Sequence, residues 1–441
     1  MKQLKCFDLL KLTAPMIVRS FTIILLGVID TAFIGRVSVT ALAAVSVAAA
    51  VYSVLTQVIT SSTSGYQILA ARRFGAGERD AVANGLVHSL IISLPLSFLG
   101  CALLWVSPPL INAMVHDLST VAEALIYLKF LSPSLIALVL LTAIQGTLDT
   151  AKQTQWGMYS SAIALGTNIV LDYFLIFGVG PFPRMGIAGA AIASTIAIMF
   201  STLFVIIVLI KKKLLPCPRI KFKWDEMQRQ LRLSFPEISS ATLDYVGNLL
   251  FVTTIGFLGS IALAGGRIAF QLLIILFIIS MQFGVGIKIL MGHSLGSKNL
   301  HELFHQFSIG RTTSTVVITV LGIPLLLFPE TIIHIFTSSV DVTQIATGAV
   351  RTVGLCAPLI AWTTSCAGAL RAHGKTAWLM YSNLGAVWFV QLPIAWVGMH
   401  FKYGLTGVYV AFIAYFLARA IVSHFLVCSI HAKIPETSMS L

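Results

Sequence analysis

The sequence predicts an all-α integral membrane protein: twelve transmembrane helices in two parallel six-helix bundles, related by a pseudo-twofold axis along the membrane normal. Three observations carry that prediction. Of 441 residues, 57% are hydrophobic and only 10% charged, against about 25% charged in an ordinary soluble domain. Twelve windows are apolar over roughly the 20 residues that a spanning helix needs. The second half of the chain repeats the first. A water-soluble globule of this length could not coat its surface with so few charges, so a soluble enzyme, a disordered chain and a nucleic-acid-binding module are excluded. No outer-membrane barrel is expected, because no stretch shows alternating ten-residue segments.

In chain order the spans fall at 13–35, 41–70, 83–106, 120–146, 156–178, 186–210, 231–258, 262–291, 309–328, 343–370, 376–399 and 404–428. Glycine and proline recur inside them, which membrane helices tolerate. Met1–Lys11 is short and basic, and the apolar run after it is long enough to stay as a span rather than serve as a cleaved leader. The net charge of +13 reads as topology. With the N-terminus in the cytoplasm, the inner segments collect Lys2, Lys5, Lys11, Arg72, Arg73, Arg79, Lys152, the cluster from Lys211 to Arg232, Lys288, Lys298, Arg311, Arg371, Lys375, Arg419 and Lys433. The outer segments hold only Arg36, Arg184 and Lys402. That asymmetry places both termini in the cytoplasm, and the expected location is a bacterial inner (plasma) membrane. Arg19, near the inner end of span 1, is expected to snorkel. Six cysteines are scattered without metal or redox spacing and are expected to be reduced.

The repeat is legible without gaps over the first spans of each half. A shift of 221 lays "LTAPMI" (12–17) on "LSFPEI" (233–238), Pro15 on Pro236, Gly35 on Gly256, and Gly65 and Gly75 on Gly286 and Gly296. A shift of 222 lays "WGMYS" (156–160) on "WLMYS" (378–382), and one of 218 lays "GIAGAAIA" (186–193) on "GLTGVYVA" (404–411). The expected division is an N-lobe 1–210, a cytoplasmic linker 211–230 and a C-lobe 231–441. Six spans per half make the halves parallel repeats, a geometry that serves alternating access around a central site.

A charge at bilayer depth is costly and usually functional. Three acids lie well inside spans: Asp30, Asp172 and Asp244. Asp30 and Asp172 stand at similar depth in spans 1 and 5, Asn168 is one turn before Asp172, and Ser194 of span 6 returns to the same level. Two nearby carboxylates in a low dielectric cannot both stay charged cheaply. Such a pair takes a proton or binds a small hard cation through oxygen ligands. The plainer alternative is that these groups are hydrogen-bonding glue between helices. Asp244 is either a site for a substrate cation or proton, or a structural acid. Glu237 is expected to be solvated. Pro15, fifteen residues before Asp30, is either a hinge that connects ion binding to cavity shape or a first-turn proline. There is no GxxxxGK[ST] loop and no HExxH, and "GSIALAGG" (259–266) reads as a loop between spans.

From about residue 10 to 430 the chain resembles the multidrug and toxic compound extrusion (MATE) transporters. The resemblance is carried by "LTAPMIV", "GVIDTAFIGRVSVTALAAVSVA", "GYQILAARRFGAGERD", "NIVLDYFLIFG", "GIAGAAIAS" and "GALRAHGKT" in that order. It implies twelve helices in two lobes and export of cationic or amphipathic compounds in exchange for H+ or Na+, without a further cofactor. It also implies that Asp30, Asn168, Asp172 and Ser194 carry the coupling ion, with H+ favoured over Na+ at the same residues. Asp244 falls where other branches have a functional glutamate. Those branches also carry an acid eight residues before the glycine of the G-x-L-R string; here the glycine is Gly368 and the position is Ile360. That departure places the chain nearer the DinF-like branch. The expected partners are small-molecule drugs or toxic cations and the lipid bilayer, not nucleic acid, with the protein acting as a monomer. Two rivals are weighed: a lipid-linked oligosaccharide or lipid flippase, which would line its cavity with several arginines or lysines, and a membrane-embedded enzyme, for which the chain lacks clustered catalytic groups. A channel would need a filter motif that is not seen.

Overall fold

The computed structural model describes residues 6–114, 117–216, 222–401 and 403–432. Lys2, Lys5, Cys217, Arg219, Lys221, Lys402 and Lys433, which entered the charge and cysteine readings, lie outside them, as does the Cys6 side chain. Among the described residues every regular element is helical. In order these are α1 (Cys6–Gly35), α2 (Val39–Ser62), α3 (Ser64–Gly75), α4 (Arg79–Trp105), α5 (Pro108–Met114), α6 (Leu118–Leu131), α7 (Ser134–Thr150), α8 (Thr154–Phe177) and α9 (Ile187–Lys211). The second half runs through α10 (Trp224–Gly256), α11 (Ser260–Gly296), α12 (Leu300–Leu327), α13 (Pro329–Ile333), α14 (Val340–Ala372), α15 (Thr376–Ala386), a π-helical turn (Val387–Gln391), α16 (Leu392–His400) and α17 (Gly404–Ala432).

Each of the twelve apolar windows is occupied by helix. Among the described residues, nine helices are long and apolar enough to cross a membrane, or ten if α6 and α7, bent by 46°, count as one. The bend falls at Pro133, which cannot donate a backbone hydrogen bond. The windows at 231–258 and 376–399 do not meet that measure. The first lies in α10, which carries Ser239, Ser240, Thr242, Asp244 and Asn248. The second is cut by the π-helical turn just before Pro393, where the helical ladder must re-register around a missing N–H. The stretch 259–266 is not a loop: Gly259 caps α11 at φ 98° and helix begins at Ser260.

Local backbone geometry follows the sequence repeat. Gly77 (φ 76°) and Lys298 (φ 58°) are related by the shift of 221, Lys152 (φ 59°) and Gly374 (φ 67°) by 222, and Gly186 (φ 54°) and Gly404 (φ 64°) by 218. Both halves therefore turn between helices through left-handed residues at matching places. In two of the three pairs a lysine takes a conformation that costs a side chain energy and glycine little.

The chain divides into two compact units, Ala14–Ile238 and Ser239–Leu441 together with Met1–Thr13. The division cuts α1 and α10 close to Pro15 and Pro236, and both prolines lie well inside their helices. In the first unit the start of α10 packs on α3 and α4. Ser234 Oγ accepts from Gly65 N (2.9 Å) and donates to Ser62 O (2.8 Å), and Gln230 Nε2 donates to Gly85 O (3.0 Å). Arg73 clamps Glu226 through both carboxylate oxygens and donates to Ala81 O (3.1 Å). Burial alone would push the Glu226 carboxyl up, but Arg73, with Arg229 and His88, holds it below the ordinary range. The clamp therefore persists through the usual carboxylate range and is lost only as pH falls through that lowered value. In the second unit the start of α1 packs on α11: a Cβ on Gly286 would lie 2.6 Å from Thr13 Cγ2 and 3.0 Å from Leu9 Cδ1. The shift of 221 carries Gly65 to Gly286, Leu9 to Gln230 and Thr13 to Ser234, so the two units repeat this crossing.

Elsewhere in the second unit Gly368 of α14 lies against the backbone carbonyl of Gly284 on α11, and a Cβ on Gly284 would stand 2.5 Å from Thr364 O. Rigid backbone cannot yield as a side chain can. Gly368→Ala is expected to destabilise by about 1–3 kcal/mol. Gly385→Ala, where an added Cβ meets nothing within 4 Å, should stabilise by up to about 1 kcal/mol. Thermal unfolding in detergent, followed by size-exclusion fluorescence, reads both; equal behaviour would refute the close crossing.

Candidate functional site

In the first unit, α1, α8 and α9 bring four polar side chains together. Asp30 (8% exposed), Asn168 (0%), Asp172 (0%) and Ser194 (6%) are all buried. Ser194 Oγ donates to Asp30 Oδ2 (3.1 Å), and Asn168 Nδ2 donates to Ser194 Oγ (3.3 Å). The carboxyls of Asp30 and Asp172 stand within hydrogen-bonding reach of each other. Local sequence explains the placement. Asn168 and Asp172 are four apart and share a face of α8. Small residues let α9 approach closely: a Cβ on Gly189 would lie 2.7 Å from the Leu175 carbonyl.

The acceptors outnumber the donors. Asp30 Oδ1, Asn168 Oδ1 and both oxygens of Asp172 accept no hydrogen bond from the described residues. Four buried oxygens without donors are costly unless a positive charge satisfies them. A proton between the carboxyls would satisfy part of the set. A small hard cation would take oxygen ligands from all of it. Ser194 also lines a cavity of about 510 Å³, walled by Tyr52, Thr56, Gln57 and Gln145 among others. The site is thus one hydrogen bond from a space large enough for a drug-sized molecule. Sequence reasoning missed Tyr127 of α6, which is buried and near enough to both acids to feel their charge. Only its depth in span 4 could have pointed to it.

Arg19 does not snorkel. It forms a two-pronged pair with Asp149 of α7 (3.1 and 2.7 Å), with the side chains 13% and 9% exposed. Gly157 of α8 makes room for it, because a Cβ there would collide with the guanidinium. Asp149 escaped notice because α7 continues to Thr150, past the expected span end. Lys288, counted among the loop cations, is buried in α11. Arg311, counted likewise, packs its guanidinium over Trp362 at 4.4 Å. Glu237 is half-buried and partnered rather than solvated.

Asp244 belongs to the second unit and is not part of the four-residue cluster. Its side chain is exposed, and Asn383 Nδ2 donates to it (2.5 Å) and to Ser240 Oγ (2.8 Å). Tyr415 OH donates to Asn383 Oδ1 (2.8 Å), and Arg419 donates to Tyr415 OH (2.5 Å). A chain of polar groups from α10, α15 and α17 therefore holds one carboxylate oxygen of Asp244. Ile360 is fully buried.

The profile described as MatE matches residues 15–174 and 236–397, well over half of the chain and one copy per half. The chain belongs to the MatE family. A probable multidrug resistance protein NorM of Thermotoga maritima is 28% identical over 94% of this chain and 90% of its own length. A multidrug resistance protein NorM of Photobacterium profundum is 25% identical over 88% and 87%. A crystal structure of MATE in the bent conformation superposes with a TM-score of 0.90 at 20% identity, covering all of both chains. Members of the MatE family are multi-pass membrane transporters, not enzymes.

Proposed function

We propose that this MatE protein is a secondary active antiporter that exports cationic or amphipathic small molecules in exchange for an inward-moving cation by alternating access. Asp30, Asn168, Asp172 and Ser194 hold the coupling ion. The observation that carries the reading is the set of four buried oxygens with no donor among the described residues, two of them on Asp172, beside a second carboxyl. H+ is the favoured ion and Na+ the alternative at the same residues. Twelve spans in two six-helix lobes, with both termini cytoplasmic, the division 1–210, 211–230 and 231–441, a monomeric state and a place in the DinF-like branch belong to the same reading. The similarity to NorM proteins named for multidrug resistance supports the substrate class. Pro15, inside α1 rather than in its first turn, is the hinge of the reading.

The mechanism follows from burial. With its cation the carboxyl pair sheds one of its two negative charges and sits more cheaply in the apolar interior; without it, two uncompensated carboxylates are expensive there. Ser194 donates to Asp30 and lines the cavity, so a molecule entering the cavity competes for the hydrogen bond that steadies Asp30. Ion binding and substrate binding are thereby exclusive, as antiport requires. Everted vesicles with a pH gradient and a Na+ gradient imposed separately test the reading: dye export driven by one of them is expected. Export driven by neither would overturn it.

Asp244 is the second element of the proposal, a carboxylate for the positive end of a substrate. Asp244→Asn is expected to weaken efflux of cationic dyes several-fold more than that of neutral ones, since an exposed ion pair contributes up to about 1 kcal/mol. Equal loss for both dye classes would make Asp244 structural.

A further inference from the structure

We propose that the second unit holds a separate binding site for an amphiphile with one anionic group, in the cavity between α10, α11 and α17 where Arg267 stands. The cavity has a volume of about 480 Å³, within the range of small-molecule sites. Its walls are mostly apolar and aromatic. Phe251, Phe270 and Tyr409 line it, with the polar groups of Asn248, Ser260 and Arg267. No acid lines it among the described residues.

Helical spacing explains why these groups face one space. Phe251, Val252 and Ile255 stand three, four and seven residues after Asn248 on α10, and Ser260, Leu263, Arg267 and Phe270 follow each other at three- and four-residue steps on α11. The aromatic wall is fixed. Tyr409 OH donates to Gly266 O (2.5 Å), and the Phe251 ring packs edge-on to Tyr409 (5.7 Å) and Phe412 (4.7 Å). By contrast Arg267 has no carboxylate partner among the described residues. Its position differs from that of Arg19 and Arg73, which are each bound to an acid.

A guanidinium without an acid, beside rigid aromatic walls, is built to bind a planar anion in two-pronged fashion while the apolar body of the ligand rests on the rings. Snorkelling towards headgroups would explain Arg267 alone. It does not explain why an amide and a fixed aromatic wall converge on the same cavity. The chemistry fits a carboxylate or phosphate on an apolar body, whether a free amphiphile or a membrane lipid. It does not fit the cationic molecules of the transport reading, and its test reads binding rather than ion-driven export, so the two fail separately.

The test uses the purified full-length protein in neutral detergent and a fluorescent probe, 11-(dansylamino)undecanoic acid, with a dansyl alkyl-trimethylammonium as the opposite-charge control. Saturable binding of the carboxylate probe is expected. Arg267→Gln should weaken it by about tenfold or more, the loss of a charge-assisted contact, and leave the cationic probe no weaker. Arg267→Lys should fall between, which guards against a folding defect. Competition then separates the sources: displacement by phosphatidylglycerol identifies a lipid, and displacement by decanoate alone identifies a free amphiphile. Absence of saturable binding, or wild-type affinity in Arg267→Gln with a folded elution profile, overturns the proposal.

Discussion

Asp172→Asn and Asp30→Asn are each expected to reduce ion-driven dye export in proteoliposomes to background while leaving folded protein in the membrane. The substitution keeps size and hydrogen-bonding capacity but removes the group that exchanges a cation. Asp172 is fully buried and neither of its oxygens has a donor among the described residues. Asparagine would bring two donors to a place crowded with acceptors. Thermal stability should therefore hold or rise, because a buried charge that must be compensated is replaced by a neutral group. Export and stability are expected to move in opposite directions. If the four residues were only inter-helix glue, the amide would serve as well and export would persist. Reconstituted export at the wild-type rate in either variant would remove the coupling site.

The second large effect concerns stability. Asp149→Ala is expected to cost about 3–5 kcal/mol, because it strands a mostly buried guanidinium. Arg19 and Asp149 make two parallel hydrogen bonds with little exposure, and the guanidinium fills the space that Gly157, lacking a Cβ, leaves open. Folded yield and thermal midpoint in detergent should both drop sharply. Replacing both members, Arg19→Met with Asp149→Leu, should recover much of the loss, since an apolar pair of similar volume needs no compensation. A double variant no better than Asp149→Ala would mean that the pair does more than satisfy its own charges.

The positions of the helices were legible because hydropathy and helix length are properties of consecutive residues. The repeat was legible for the same reason, and it extends into the backbone, where Gly77 and Lys298, or Lys152 and Gly374, take the same left-handed turn. The cluster of Asp30, Asn168, Asp172 and Ser194 could be anticipated by counting depth along spans 1, 5 and 6, since a fixed rise per residue converts sequence position into height. What height does not give is rotation about each helix axis. Arg19 lies in span 1 and Asp149 just beyond the expected end of span 4, and nothing local says that they face each other. Asn383, Tyr415 and Arg419 behind Asp244 were missed for that reason, and Lys288 was misplaced because a lone lysine near a span end reads the same buried or free.

The sequence by itself determined that this chain lives in lipid, where its helices run, that its two halves share one design, and which acids fall within the spans. The tertiary structure alone decided who meets whom: that Asp30 receives its hydrogen bond from Ser194, that Arg19 is locked to Asp149, and that Arg267 shares a cavity with Phe251, Phe270 and Tyr409 that no acid lines among the described residues. The physical reason is that burial along a helix is set by composition, whereas contact between helices is set by rotation and crossing, which close packing fixes only when all of them are present together.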